Sequence, residues 1–175
     1  MSSDLRINVL DSFVRNASLE DGDGITALLG ISYPTLMRGS YEDSILNTAL
    51  PVMTVAQPVL LRSGSYYVAE TATGTFVGCG GWTKERPGDR EILAGVAHIR
   101  HFGVHPEWAR RGVGRAIYAR CCEDATVAGV EKFECYSSIN GEVFYAALGF
   151  KRLEEIVVEM PEGGSFPSVH MLALI

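Results

Sequence analysis

The chain has 175 residues, a length that predicts a single domain spanning residues 1–175. With 47% hydrophobic and 21% charged residues it has enough apolar material to bury a core, which excludes a disordered chain. The net charge of −6 argues against nucleic acid as the main partner.

The N-terminal segment, Met1–Asp11, mixes charges with short apolar steps and therefore predicts no signal peptide. No window of the chain reaches the length of a transmembrane helix. The four cysteines form no C-x-x-C pair, and no histidine cluster lies at zinc-finger spacing. We therefore expect a cytoplasmic protein with reduced thiols, without a membrane partner and without a metal.

The first part of the chain predicts a strand followed by two helices. Their limits are set by capping residues and by prolines, which cannot donate a helical hydrogen bond. In chain order they are a weak strand over Phe13–Ala17, a helix capped by Asp21 or Asp23 and ended by Pro34, and a helix from Tyr41, capped by Ser40 and ended by Pro51.

A hairpin follows, with strands over Tyr66–Glu70 and Thr75–Thr83 and a turn over Thr71–Gly74. Its second strand is poor in side chains, because it contains Gly78, Gly80 and Gly81. Such glycines indicate a close approach, either of a helix packed on that face of the sheet or of a ligand.

The remaining elements alternate between strands and helices. The longest helix carries apolar residues at helical spacing, and Gly129 closes it. The predicted elements are a central strand Val96–Val104, a helix Gly112–Ala128, a strand Lys132–Tyr136, a helix Asn140–Leu148 capped by Asn140, and two closing strands, Leu153–Met160 and Phe166–Ile175, around Glu162-Gly163-Gly164. This order predicts a mixed sheet covered by helices.

The segment Phe102–Arg115 carries the most informative pattern. A strand runs into a turn rich in arginine and glycine, and a helix starts at once. The N–H groups and positive dipole end of that helix, together with Arg110, Arg111 and Arg115, form what a pyrophosphate needs. Glycine removes the Cβ atoms that would hold a phosphate away. A tight strand-to-helix turn without a ligand is the alternative interpretation.

This segment resembles motif A of the GNAT family of N-acetyltransferases, Q/R-x-x-G-x-G/A after a central strand. Gly112 and Gly114 match the glycines, whereas Ala109 departs from the first position. Gly78–Trp82 resembles the third strand of many members, and Asn140–Phe150 resembles a compressed motif B. The resemblance extends from about Tyr66 to the C-terminus. It implies an α+β, three-layer GNAT fold, with a mixed and mostly antiparallel sheet of six to seven strands flanked by helices.

The resemblance also implies acetyl-CoA as co-substrate, with no metal. The strand before the loop would contact the pantetheine arm, the loop amides would hold the pyrophosphate, and an asparagine would touch the arm. Asn140 is as well explained as a plain helix cap. The residues assigned to binding are Phe102, Gly103, Val104, Arg110, Arg111, Gly112, Val113, Gly114, Arg115 and Asn140.

Tyr145 is the candidate general acid, because a phenol keeps its proton at neutral pH and can donate it to a leaving thiolate. The alternative is a tyrosine that only packs beside Phe144 and Phe150. For the general base, His98 and His101 point to opposite faces of the central strand, so only one can enter the site. We select His101, with Glu70 and Glu142 as weaker candidates.

The sequence therefore predicts transfer of an acetyl or acyl group from acetyl-CoA to a primary amine. The alternative is a non-catalytic acyl-CoA-binding regulatory module. The acceptor is a small-molecule amine or a peptide, and residues Tyr33–Leu61 form one wall of its site by analogy with the family. A homodimer is compatible with the closing strands, again by analogy alone.

Overall fold

The computed structural model describes residues 11–161 and 164–175. In these ranges the chain forms seven strands and five α-helices. The strands are β1 (Ser12–Asn16), β2 (Tyr66–Thr71), β3 (Phe76–Thr83), β4 (Val96–Val104), β5 (Lys132–Ser138), β6 (Lys151–Glu159) and β7 (Ser165–Leu174). The helices are α1 (Gly22–Met37), α2 (Asp43–Met53), α3 (Pro58–Leu61), α4 (Val113–Val127) and α5 (Glu142–Ala147).

The seven strands form one sheet in the order β1-β2-β3-β4-β5-β7-β6. Every neighbouring pair is antiparallel except β4 and β5, which run parallel and are joined through α4. A parallel pair needs such a crossover, whereas an antiparallel pair such as β2 and β3 can be joined by a short turn. The α+β class and the mixed, mostly antiparallel sheet predicted from the sequence are confirmed.

Helices cover both faces of the sheet and create two apolar clusters. On one face α4 packs through Val113, Ile117 and Cys121, none of which is more than 1% exposed. On the other face Ile25 and Leu29 of α1 are fully buried. The three-layer arrangement follows, because each helix buries one apolar stripe against the sheet between them.

Strand β4 and helix α4 lie where the sequence pattern placed them. Gly129 has a φ of +80°, the left-handed conformation that ends many helices. Gly78 of β3 admits helix α4, as the packing alternative predicted, whereas Gly80 admits a side chain of the neighbouring strand β4. A Cβ at Gly78 would lie 2.5 Å from Val113 Cγ1 of α4, and one at Gly80 would lie 2.4 Å from the ring of Phe102.

The predictions that Pro34 and Pro51 end helices are wrong. Helix α1 continues to Met37 and α2 to Met53, with each proline inside the helix. The second helix also begins later than predicted, at Asp43 with Glu42 at its N-cap position, so Ser40 is not the cap. The lost hydrogen bond of a proline is outweighed where the following turn buries a side chain, as Met37 does at 3% exposure.

The prediction that Asn140 caps a helix is also wrong, because α5 begins at Glu142 with Gly141 at its N-cap position. Residues 1–10 of the N-terminal segment, and Glu162 and Gly163 of the closing turn, lie outside the described residues. In the part of the chain that the structure describes, no helix has the length and apolarity to cross a membrane.

Candidate functional site

A cleft opens in the middle of the sheet because β4 and β5 separate. The two strands pair only at their beginnings, where Val96, Ala97 and His98 face Lys132, Phe133 and Glu134. Their later halves line a cavity of about 250 Å³. From β4 the lining residues are Ile99, Arg100, His101 and Phe102, and from β5 they are Cys135, Tyr136, Ser137 and Ser138.

The cleft connects the two faces of the sheet. Tyr145 of α5 lines it and belongs to the apolar cluster beneath α4. Tyr33 and Met37 of α1 line it and belong to the cluster on the opposite face. Met53, at the end of α2, also lines it. A ligand entering from one face can thus meet a second ligand entering from the other.

A β-bulge interrupts β4 inside the cleft. Cys79 pairs with Gly103 and Gly81 pairs with Arg100, so two residues of β4 oppose one of β3. His101, in the bulge, has a φ of +55°. Such bulges re-aim side chains and are frequent beside active sites.

Tyrosine and serine hydroxyls hold this stretch of β4 in place. Tyr66 donates to the His101 carbonyl at 2.7 Å, and Tyr33 donates to the Phe102 carbonyl at 2.6 Å. Ser32 donates to the Val104 carbonyl at 2.6 Å. The carbonyls of Phe102 and Val104 therefore keep one lone pair each for a ligand, in addition to any N–H that faces the cleft.

The imidazole of His101 has one bonded and one unbonded nitrogen. Its Nε2 lies 2.5 Å from the Met53 carbonyl oxygen. A carbonyl can only accept, so Nε2 carries the proton and the neutral ring has its lone pair on Nδ1. Nδ1 is buried and has no hydrogen-bond partner among the described residues. Burial, the largest cause, and the nearby charge of Arg100 lower the pKa of His101, which favours the neutral ring at pH 7.

The other candidates for a general base lie elsewhere. His98 is buried at 3% exposure, 3.8 Å from Glu134, and does not line the cleft. Glu70 pairs with Arg15 at 3.1 Å, and Glu142 pairs with Arg152 at 3.1 Å. Of the histidines of β4, only His101 lines the cleft, and it lies in the β-bulge.

Tyr145 lies in an aromatic cluster and faces the cleft. Its ring centroid is 5.0 Å from Phe144, 5.4 Å from Phe150 and 6.2 Å from Phe102. Its hydroxyl forms no hydrogen bond with any described residue, although the residue is only 8% exposed. Burial raises the pKa of this phenol well above its ordinary value, so the hydroxyl keeps its proton across the neutral range.

The loop between β4 and α4 contains two residues with positive φ. Gly112 is the N-cap residue of α4 with a φ of +87°, and Arg110 also has a positive φ of +60°. The hydrogen bonds of α4 begin at Ala116, whose N–H donates to the Gly112 carbonyl. The N–H groups of Val113, Gly114 and Arg115 therefore have no acceptor within the helix.

The three arginines of this loop have no anionic partner in the described chain. Arg110, Arg111 and Arg115 are exposed, and none forms an ion pair with a described carboxylate. Arg111 stacks on Trp108, with 4.2 Å between its Cζ atom and the ring centroid. Unpaired guanidinium groups beside a helix N-terminus provide a site for a di- or triphosphate.

Asn140 and Gly114, two further predicted binding residues, lie in different environments. Asn140 follows β5, and its buried Oδ1 has no partner among the described residues, which leaves an acceptor available to a ligand amide. Gly114 is required by packing, because a Cβ there would lie 2.9 Å from the ring of Phe144. The absence of a side chain at Gly114 therefore lets α4 and α5 pack closely, in addition to leaving the N–H of Gly114 accessible.

Two residues of the cleft were missed by the sequence reasoning. The sequence placed Tyr33 only in the acceptor-site wall Tyr33–Leu61. The hydrogen bond from its hydroxyl to β4 depends on a contact between distant segments. Arg100 was not considered, although it lines the cleft. The available signal was a charged residue inside an otherwise apolar central strand, where charges are rarely buried without a purpose.

Comparison with known proteins identifies the part of the chain that contains β4, the arginine- and glycine-rich loop and β5. The model of an acetyltransferase (GNAT) domain matches residues 62–152. No curated protein sequence shows significant similarity to the chain. Among solved structures, a GCN5-related N-acetyltransferase from Rhodopseudomonas palustris has 20% identity and a TM-score of 0.76, covering 93% of this chain and 94% of its own.

Two more solved structures share the fold. The PaiA N-acetyltransferase of Thermoplasma acidophilum, in complex with coenzyme A, has 17% identity and a TM-score of 0.69, covering 95% of this chain and all of its own. A GCN5-related N-acetyltransferase from Kribbella flavida has 21% identity and a TM-score of 0.61, covering 94% of this chain and 98% of its own. At these identities the likeness concerns the fold.

Proposed function

The chain belongs to the GNAT acetyltransferase family, and from that membership we propose that it transfers an acetyl group from acetyl-CoA to a primary amine by direct attack. The observation that carries the proposal is the cleft between β4 and β5, which lies beside the arginine- and glycine-rich loop. One end of the site suits a pyrophosphate and the other end has groups suited to proton transfer.

The described residues fit coenzyme A. The side chains of Arg110, Arg111 and Arg115, which form no ion pair with a described carboxylate, would hold the pyrophosphate together with the free N–H groups at the start of α4. The main chain of Phe102–Val104 would line the pantetheine arm. The unpartnered Oδ1 of Asn140 would accept from an amide of that arm. Bound there, coenzyme A supplies a thioester carbonyl as the electrophile.

Tyr145 would act on the leaving sulfur. As the amine nitrogen bonds to the carbonyl carbon and the C–S bond breaks, negative charge develops on sulfur. Tyr145 lines the cleft, and its hydroxyl, which has no partner among the described residues, can donate to that charge. The raised pKa of Tyr145 keeps the proton on oxygen until then, so the hydroxyl acts as a hydrogen-bond donor and general acid.

His101 would receive the proton that the acceptor ammonium must lose. Its Nδ1 has a free lone pair, and the ring is oriented by the Met53 carbonyl. Its lowered pKa makes it a weak base but leaves it unprotonated at neutral pH. The larger part of the rate enhancement would come from holding amine and thioester together in the cleft.

Calorimetric titration of the coenzyme-free protein with acetyl-CoA tests the binding half of this proposal. Micromolar affinity, about −8 kcal/mol, is expected for the wild type. Gly112→Asp places a negative charge at the loop and should abolish measurable binding. Gly112→Asn has the same size and tolerates the positive φ better than most residues, so it should retain most of the affinity. No binding by the wild type would refute the proposal.

The catalytic half is tested by measuring thiol release from acetyl-CoA with a panel of amines. Amine-dependent release above the uncatalysed rate supports an enzyme. Tight binding of acetyl-CoA without release for any amine would instead support a regulatory module that binds acyl-CoA without catalysis.

A further inference from the structure

The acceptor side of the cleft has an unusual balance of charge. No aspartate or glutamate of the described ranges lines it. Among the described lining residues Arg100 alone is permanently charged, since burial favours the neutral form of the neighbouring His101. The other polar groups of the wall are hydroxyls, including those of Ser137 and Ser168.

Arg100 is partly buried and is not neutralised by an ion pair. Its Nη1 donates to the hydroxyl of Thr83 at 3.0 Å. No described carboxylate lies within ion-pair distance of it. The carboxylate that acts on it from the nearby loop, Glu85, is bound by Arg90 at 3.0 Å. A guanidinium has five N–H donors, so several of those of Arg100 remain for a ligand.

This charge balance discriminates between classes of amine. A diamine or polyamine would bring further positive charge to a site that is lined by no carboxylate of the described residues and already holds a guanidinium. An amine that also carries a carboxylate would satisfy Arg100, because carboxylates match the planar fork of arginine donors. Burial of the guanidinium strengthens that preference, since screening by water is reduced.

We propose that the acceptor is a small amino acid or a closely related amine with a carboxylate, and that Arg100 binds this carboxylate. The inference rests on the proposed acetyl transfer and specifies its substrate. The cleft, of about 250 Å³, has room for a small acceptor. Arg100 is thus a specificity-determining residue.

The test compares L-amino acids with their carboxamides, which keep the amine and side chain but lose the negative charge, and includes 1,4-diaminobutane. The full chain is assayed for thiol release, and acetyl-CoA binding is measured on the same sample by calorimetry. We expect the best amino acid to exceed its carboxamide in kcat/KM by about 10- to 100-fold. The difference should reside mainly in the KM of the acceptor.

Three variants complete the test. Arg100→Met should lower kcat/KM for the amino acid to that of the carboxamide while leaving the carboxamide rate and acetyl-CoA affinity unchanged. Arg100→Lys should retain part of the preference, because it keeps the charge without the fork. Arg62→Met changes an exposed arginine outside the cleft and should match the wild type.

Several results would overturn the inference: equal use of acids and carboxamides, a preference that survives in Arg100→Met, turnover of the diamine alone, or no turnover of any panel member. The comparison of acids with carboxamides on the wild type stands even if Arg100→Met does not fold. Failure of the proposed function is recognised separately, because the wild type would then either not bind acetyl-CoA or bind it without releasing thiol with any amine, including amines outside this panel.

Discussion

Replacement of Tyr145 by phenylalanine should separate catalysis from folding. The hydroxyl forms no hydrogen bond with a described residue, so its removal deletes none, and the ring contacts with Phe144, Phe150 and Phe102 stay in place. We expect a change of less than about 1 kcal/mol in the free energy of unfolding. For a chain of this size that corresponds to less than about 4 °C in Tm.

The effect on turnover should be far larger. Loss of a positioned proton donor costs about 10²- to 10⁴-fold in kcat, equivalent to about 3–5 kcal/mol in activation free energy. Initial rates of thiol release give kcat, and calorimetry gives the affinity for acetyl-CoA, which should not change. Tyr118→Phe is the matched control, because Tyr118 packs on the same Phe150 at 5.6 Å but does not line the cleft. Equal losses in Tyr145→Phe and Tyr118→Phe, or a fall in affinity that matches the fall in kcat, would refute the role of Tyr145.

Three further predictions concern the base, the loop and the packing of the sheet. Because burial lowers the pKa of His101, kcat/KM should persist as pH falls below the ordinary histidine pKa of about 6.5 and decline only at lower pH; His101→Gln should remove this limb from the pH–rate profile. Arg111→Gln should weaken acetyl-CoA binding at low ionic strength, and the difference from wild type, measured by calorimetry, should shrink in salt. Gly78→Val should lower the free energy of unfolding by about 1–3 kcal/mol, since its Cβ would lie 2.5 Å from Val113 Cγ1. Gly30→Ala, where a Cβ meets nothing within 4 Å, should instead raise the urea midpoint slightly.

Sequence patterns were sufficient to predict an element wherever the pattern lay entirely within that element. Helix α4 was predictable because Val113, Ile117 and Cys121 recur on one face, and that face is the buried one. The bounds of strand β4, Val96–Val104, were also predicted to the residue. The arginine- and glycine-rich loop needs only a strand end, a left-handed Gly112 and a helix start, all of which are encoded within a few residues.

Prolines misled the reading of α1 and α2 because their effect depends on what the next turn contacts. Beyond Pro34, α1 buries Met37, and just before it Ser32 and Tyr33 donate to β4. These contacts join residues about 70 positions apart in the chain. No local rule contains them.

The sequence by itself determined the order of the strands and of the longer helices, the family resemblance and the arginine- and glycine-rich loop before α4, because each is local or nearly so. Only the tertiary structure decided that β4 and β5 part after His98, that a bulge turns His101 into the gap, and that Arg100 faces it without an ionic partner. The physical reason is that the cleft forms where β4 and β5 do not pair. Which residues of two strands pair depends on both segments together, and the periodicity within either segment does not specify it.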